Sequence, residues 1–303
     1  RNFGVDGRRG AVTQVVANQI SLEYEARGDQ QLPTVILMRG LGTQLIDWPE
    51  ALLEGLVEQG FHVVVFDNRD VGLSETFTQA GLPDLSAIVR GDRGTLAYDL
   101  QDMANDVIGL MDALGIQRAH VMGISMGGMI AQLLAATHGA RLLSMISMMS
   151  SSGRRGLPGA TPAAQASLVA SPDPAGGKAA AVALTAEGLL ICGSPAYPES
   201  LEQRLAIAQK RFDRNHNPAG VARQMAAVVA TGDRTRMLEQ IKIPVLVIHG
   251  ADDPLIPLAA GEDTAKHIPG CQLNVIEGLG HNIPAGAVPI LLDTMVDFYR
   301  SIT

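Results

Sequence analysis

Val121-Met122-Gly123-Ile124-Ser125-Met126-Gly127-Gly128 is the stretch on which the fold turns. Ala119 to Met122 is short and apolar enough to be a buried strand. Beyond the glycines, Met129, Ile130, Leu133 and Leu134 recur at helical spacing, and Ala131, Ala135 and Ala136 are strong helix formers. A strand therefore passes through a tight turn into a helix, and the turn carries G-x-S-x-G, with Gly123 and Gly127 flanking Ser125. A serine on so sharp a turn is held in strained backbone, and neighbouring side chains would collide with strand and helix. The helix behind it aims free N–H groups and the positive end of its dipole at the same spot. Small residues also crowd strand-to-helix turns for packing reasons alone, so partners elsewhere must decide what the pattern means.

On the N-terminal side, Thr34 to Met38 and His62 to Phe66 are continuous apolar runs, which predicts central buried strands. The first ends in the loop Arg39-Gly40-Leu41-Gly42 and the second in Asp67-Asn68-Arg69-Asp70-Val71-Gly72-Leu73-Ser74. Between them Pro49 opens a helix that Gly60 ends. Leu96, Leu100, Met103, Val107, Leu110 and Leu114 step by three and four, a long amphipathic helix with Thr95 as expected N-cap and Gly115 just past its end. Ile20 to Tyr24 alternates, as a half-buried antiparallel strand at a sheet edge would. Residues 1 to 12, rich in Gly and Arg, are expected to be loosely held.

On the C-terminal side, Leu142 to Met149 is a further strand. Composition changes at Ser150: residues 150 to 178 are rich in Ser, Gly, Pro and Ala. Helix-forming stretches follow at Ala179–Leu190, Ser200–Phe212 and Gly220–Ala230, with no strand signal. Residues 152–235 therefore read as a helical lid inserted at the ligand side of a core formed by 1–151 and 236–303. A plain helical subdomain without a binding role is the simpler alternative. The sheet resumes at Ile243 to Ile248 and closes with Gln272 to Ile276. Helices follow each, at Leu258–His267 and Val288–Arg300. Alternating strands and helices of this kind build an α/β fold, a mostly parallel sheet covered by helices on both faces. Ligands bind outside the C-terminal strand ends of such sheets.

A hydroxyl nucleophile needs a base, and the base needs an acid to orient it. Of seven histidines, only His281 lies in a glycine-rich loop after the last strand. His62, His120 and His249 sit at strand ends and His138, His216 and His267 at helix ends or on the surface, where packing or capping suffices. The acid falls on Asp252 or Asp253, both in the loop after Ile248, and residue chemistry alone does not separate the two. Ser125, this aspartate and His281 all leave C-terminal strand ends, so they can meet at one rim. The N–H of Met126 and that of Leu41, in the glycine-rich loop, are the expected oxyanion donors. Gly40 lets that loop come close, and Arg39 stands beside it as an expected substrate contact.

The bulk numbers narrow the partners. The 303 residues are 47% hydrophobic and 18% charged, with a net charge of −8 and a pI near 5.3. An acidic surface argues against nucleic acid or an anionic membrane, and no apolar run reaches the roughly 18 residues of a membrane span. Cys192 and Cys271 are too few for a disulfide framework, and no metal-ligand spacing or dinucleotide fingerprint is present. The expectation is no cofactor and no metal. Small-molecule substrates are expected, with a homo-oligomer compatible. No secretory h-region is visible, so a cytoplasmic location is expected.

Together these residues resemble the α/β-hydrolase fold. The likeness runs over nearly the whole chain: G-I-S-M-G at the turn, H-G-A-D-D-P-L-I-P after the penultimate strand and G-L-G-H near the end. The family's H-G-x-x-D pattern implies Asp253 as the acid. D-N-R-D-V-G-L-S and M-R-G-L-G-T-Q-L-I-D-W-P further resemble the branch of aclacinomycin methylesterases and related bacterial carboxylesterases. Many relatives have His where Arg39 stands. The resemblance implies a serine esterase working through an acyl-enzyme. Lactone hydrolysis, C–C bond hydrolysis of diketones and perhydrolase activity are alternatives on the same residues. A non-catalytic ligand-binding protein on the same fold is the alternative of another class.

Overall fold

The computed structural model describes residues 12–302. Eight strands form one sheet: β1 (Val12–Ala17), β2 (Ile20–Arg27), β3 (Thr34–Met38), β4 (His62–Phe66), β5 (Ala119–Ile124), β6 (Leu142–Met148), β7 (Val245–Gly250) and β8 (Gln272–Ile276). Their order is β1-β2-β4-β3-β5-β6-β7-β8. β2 runs antiparallel to β1 and β4, and every other pair is parallel. The mostly parallel α/β sheet expected from the apolar runs is therefore present, and β3, β4, β5 and β7 are buried along their whole length.

The helices of the first half are α1 (Glu50–Glu58), α2 (Leu85–Val89), α3 (Leu100–Ala113) and α4 (Met126–His138). Between β6 and β7 lie α5 (Pro162–Val169), α6 (Gly177–Ile191), α7 (Leu201–Arg214), α8 (Pro218–Thr231) and α9 (Thr235–Leu238), and the chain closes with α10 (Leu258–His267) and α11 (Val288–Arg300). Because side chains alternate along a strand, each central strand feeds two apolar layers. Ile36, Val64 and Val121 pack with Met103, Val107, Ile130 and Leu134 of α3 and α4. Val35, Val63 and Met122, the intervening residues, pack with Leu52, Leu56, Leu291 and Met295 of α1 and α11. Each such side chain fully buried contributes on the order of 1.5–3 kcal/mol. No helix among the described residues is long and apolar enough to cross a membrane.

Two sequence expectations need correction, and a third falls almost wholly outside the described residues. Ile20 to Tyr24 belongs to an antiparallel strand, but β1 and not β2 is the sheet edge. The turn between them is Asn18-Gln19, both at positive φ (49° and 67°), the two-residue hairpin geometry usually marked by Asn-Gly. The loosely held segment lies outside the described residues except for Val12, which begins β1. Thr95 is not the N-cap of the long helix. Asp99 is, accepting from the N–H groups of Gln101 and Asp102, while Asp102 accepts from the Asp99 N–H in return. That reciprocal pair starts the helix later than the apolar stepping suggests. Thr95 instead accepts from the Asp84 N–H at 2.9 Å.

Candidate active site

The turn at Ser125 has no spare residue: β5 ends at Ile124 and α4 begins at Met126. Ser125 sits at φ 56° and ψ −121°, a backbone state that costs a non-glycine residue about 1–3 kcal/mol. Its surroundings hold it there. Its N–H donates to the Met148 carbonyl at 2.9 Å, and its carbonyl accepts from Gly128 N at 2.9 Å and from Ser150 Oγ at 2.8 Å. The flanking glycines are required by approach distance. A Cβ on Gly123 would lie 1.9 Å from the Gly127 carbonyl oxygen, and one on Gly127 would lie 2.4 Å from that of Met38.

His281 reaches this turn from the loop after β8. Its Nε2 lies 3.0 Å from Ser125 Oγ and its Nδ1 lies 2.7 Å from Asp253 Oδ2. An ionised carboxylate only accepts, so Nδ1 carries the hydrogen and Nε2 is left to accept the serine proton. Asp253 is buried, and its other oxygen accepts from the N–H groups of Leu255 and Ile256, both at 2.9 Å. Those bonds fix the carboxylate plane. Asp252 is exposed and accepts from Gly278 N at 3.0 Å, bracing the loop that leads to His281. Residue chemistry alone does not separate the two aspartates; in the structure Asp253, and not Asp252, lies against His281. His249 faces Asp253 Oδ2 from 3.7 Å, with its Nε2 2.7 Å from the Ile256 carbonyl, and burial pushes its pKa down.

Two backbone donors lie in the segments on either side of Ser125, one in α4 directly after it and one in the loop after β3. The N–H groups of Met126 and Leu41 have no acceptor among the described residues. Gly40 sits against the serine: a Cβ there would lie 3.1 Å from Ser125 Cβ. Arg39 is buried, with its guanidinium 4.9 Å over the Trp48 ring and Asp47 as its charged neighbour. Burial pushes its pKa down to about 10. It is therefore not open to solvent beside the loop, where the sequence reading expects a substrate contact. Among the described residues no group of three or more His, Cys, Asp or Glu could hold a metal ion.

A family model for the alpha/beta hydrolase fold matches residues 33–285. The chain belongs to that family. Among named relatives of this alpha/beta hydrolase is the rhodomycin D methylesterase DauP of Streptomyces sp. strain C5, 24% identical over 290 residues, which cover 89% of this chain and 92% of the relative. Another is the 3-oxoadipate enol-lactonase 2 of Acinetobacter baylyi, 29% identical, with 87% of each chain covered. The crystal structure of the enol-lactonase from Burkholderia xenovorans LB400 superposes with a TM-score of 0.72 at 24% identity, over 95% of this chain and all of that one. The methylesterase-like resemblance read from the motifs thus holds at the level of the family and its relatives.

Sequence reasoning missed a set of buried charges that tie the alpha/beta hydrolase core to the helices between β6 and β7. Asp70 receives Arg223 of α8 in a bidentate pair, Nε at 2.8 Å and Nη2 at 2.7 Å, and also the Tyr98 hydroxyl at 2.6 Å. Asp67 pairs with Arg214 at 2.7 Å, and Asp47 pairs with Arg211 at 2.6 Å. Burial pushes the Asp67 carboxyl above its ordinary value despite Arg214. For Asp47, Arg211 and Arg39 outweigh burial and hold the carboxyl below it. Arg69 and Asp106 form a fourth pair within the core, at 2.6 and 2.7 Å. Removing one partner leaves the other charge buried alone. Arg223→Ala should therefore lower unfolding free energy by about 3–5 kcal/mol. A shifted urea midpoint at unchanged slope checks this.

Proposed function

We propose that this alpha/beta hydrolase cleaves a small to medium, largely uncharged carboxylic ester through an acyl-enzyme. The observation that carries the reading is the unbroken chain from Asp253 Oδ2 through His281 to Ser125 Oγ, at 2.7 and 3.0 Å. Ser125 Oγ attacks the carbonyl carbon as its proton passes to His281 Nε2, and Asp253 steadies the imidazolium that forms. The N–H groups of Leu41 and Met126 receive the oxyanion. His281 then protonates the leaving alcohol oxygen, the C–O bond breaks, and water repeats the sequence on the acyl-enzyme to release the acid. The sequence of steps needs no metal or organic cofactor. Gly40 lets the substrate carbonyl approach, and Arg39 supports the loop from beneath. A lactone is an ester closed on itself, and a relative named as an enol-lactonase favours testing it as the second reading.

We assign residues 152–235 the role of lid. The support is where they touch the rim. The Cys192 carbonyl accepts from His281 N at 2.8 Å, and a Cβ on Gly42 would meet Val221 of α8 at 3.0 Å. Val221→Phe should lower kcat/KM for p-nitrophenyl octanoate about tenfold relative to the acetate, a difference of roughly 1.4 kcal/mol. Equal effects on both esters would show that the lid does not set acyl preference. The function itself is tested by a screen of p-nitrophenyl esters from acetate to octanoate, beside lactones and vinylogous diketones. Ester or lactone turnover is expected. Cleavage of the diketones alone would replace this reading.

A further inference from the structure

Two consecutive peptide groups next to Ser125 are held in place, and one of them is held by a side chain from the inserted helices. Gly40 to Thr43 is a turn: Thr43 N donates to the Gly40 carbonyl at 3.3 Å, and Thr43 Oγ1 donates to the same oxygen at 2.9 Å. Both bonds orient the Gly40–Leu41 peptide, whose N–H, on Leu41, points the opposite way from that carbonyl. The Leu41–Gly42 peptide is the next one along. Gly42 has φ +66°, which a type II turn demands at its third position. Its N–H donates to Gln224 Oε1 at 2.9 Å. Gln224 is fully buried on α8, and its Nε2 donates to the Arg69 carbonyl at 2.8 Å.

One amide therefore bridges the loop after β3 and the loop after β4. It accepts from one and donates to the other, so both of its polar ends are used. Arg69 is itself fixed by its pair with Asp106, and the same helix is anchored by Arg223 on Asp70. The bridge is thus mounted on rigid supports at both ends. If the amide is removed, the Gly42 N–H loses its acceptor, and the central peptide of the turn is free to flip toward the commoner turn with negative φ. The Gly40–Leu41 peptide keeps its two bonds from Thr43, but the turn as a whole loses its tie to α8, so the Leu41 N–H is no longer held at one place beside Ser125.

We infer that Gln224 is a positioning residue: through Gly42 it fixes where the turn places the Leu41 N–H that receives the oxyanion. The lid helix α8 is then part of the machinery of the step and not only a wall of the pocket. This rests on the ester-hydrolase reading above. Gln224 does not touch substrate in this account, so its loss should cost transition-state binding and leave ground-state binding nearly intact.

The test compares Gln224→Met, close in length but without donor or acceptor, with Asn217→Ala at the start of the same helix. Asn217 caps α8 and donates to the Asp70 carbonyl, so its loss loosens the helix without touching Gly42. Kinetics are read with p-nitrophenyl butyrate, per site titrated by a fluorophosphonate. Affinity for n-butylboronic acid, which forms a tetrahedral adduct on Ser125 Oγ, reports the oxyanion site. Gln224→Met should lower kcat about 10- to 100-fold with KM within twofold, and weaken the boronic acid by a similar factor. Asn217→Ala should lower Tm with kcat and boronic acid affinity within twofold. Should Gln224→Met not fold, Gln224→Asn carries the same test, since it stays polar but is one methylene too short to span both partners. Wild-type kcat and boronic acid affinity in the Gln224 variant, whatever its Tm, would overturn the inference. If wild-type protein turns over no ester and binds no boronic acid, the hydrolase reading falls first, and this inference with it.

Discussion

Asp253→Asn should lower kcat for ester hydrolysis by about 10⁴-fold, whereas Asp252→Asn should stay within a few-fold of wild type. The two residues are adjacent and chemically identical, so the contrast tests geometry alone. Asp253 Oδ2 holds His281 Nδ1 at 2.7 Å, and its partner oxygen is locked by two backbone N–H groups. An asparagine amide at that position presents either a donor to a donor or a weak neutral acceptor. In the first case the imidazole takes the tautomer that puts hydrogen on Nε2, and that nitrogen no longer accepts the serine proton. In the second, the developing imidazolium loses its compensating charge. Asp252 offers only an exposed bond to Gly278 N. A side-chain amide oxygen replaces it at little cost. Steady-state rates with p-nitrophenyl butyrate for the two variants decide it. A larger loss in Asp252→Asn would mean that the imidazole turns to the other carboxylate during turnover.

Ser125→Ala should lose about 10⁵- to 10⁶-fold in kcat and keep its fold. Among the described residues the hydroxyl makes one bond, to His281, while the backbone at Ser125 makes the bonds that shape the turn. Alanine keeps that backbone and carries the same strain at positive φ. The urea midpoint should accordingly shift by no more than about 1 kcal/mol in equivalent stability. Rate loss without stability loss separates a chemical role from a packing one. A variant that loses both equally would make Ser125 a structural residue of the elbow.

Much of this arrangement is legible in the chain because it is local. Buried parallel strands read as unbroken apolar runs, as in Thr34–Met38 and His62–Phe66, and the elbow is a five-residue pattern whose glycines answer to contacts of 1.9 and 2.4 Å. His281 stands out because its loop is glycine-rich. What is not legible is what the tertiary structure decides. β1 is exposed along most of its length, so it lacks a buried face to mark it, and Asn18-Gln19 is an uncommon two-residue turn. α5 lacks an amphipathic stripe, and α2 is barely more than one turn. The charges of D-N-R-D-V-G-L-S look like a solvated loop until Arg214 and Arg223 arrive from more than a hundred residues away. Gln224 carries no local signal at all, because both of its partners are backbone groups far along the chain. Arg39 reads as a substrate contact beside the loop but is buried and packs over Trp48, an aromatic partner that local sequence does not point to.

Ser125, activated by His281, is expected to form a covalent bond with carbonyl or phosphorus centres. A fluorophosphonate tests it most directly, because Ser125 Oγ displaces its fluoride and keeps the phosphonyl group. The protein should take up one phosphonyl group per chain as esterase activity disappears, with the added mass on the peptide containing Ser125. His281→Ala should slow that uptake by orders of magnitude. Mass on any other serine, or full labelling with activity retained, would contradict the account.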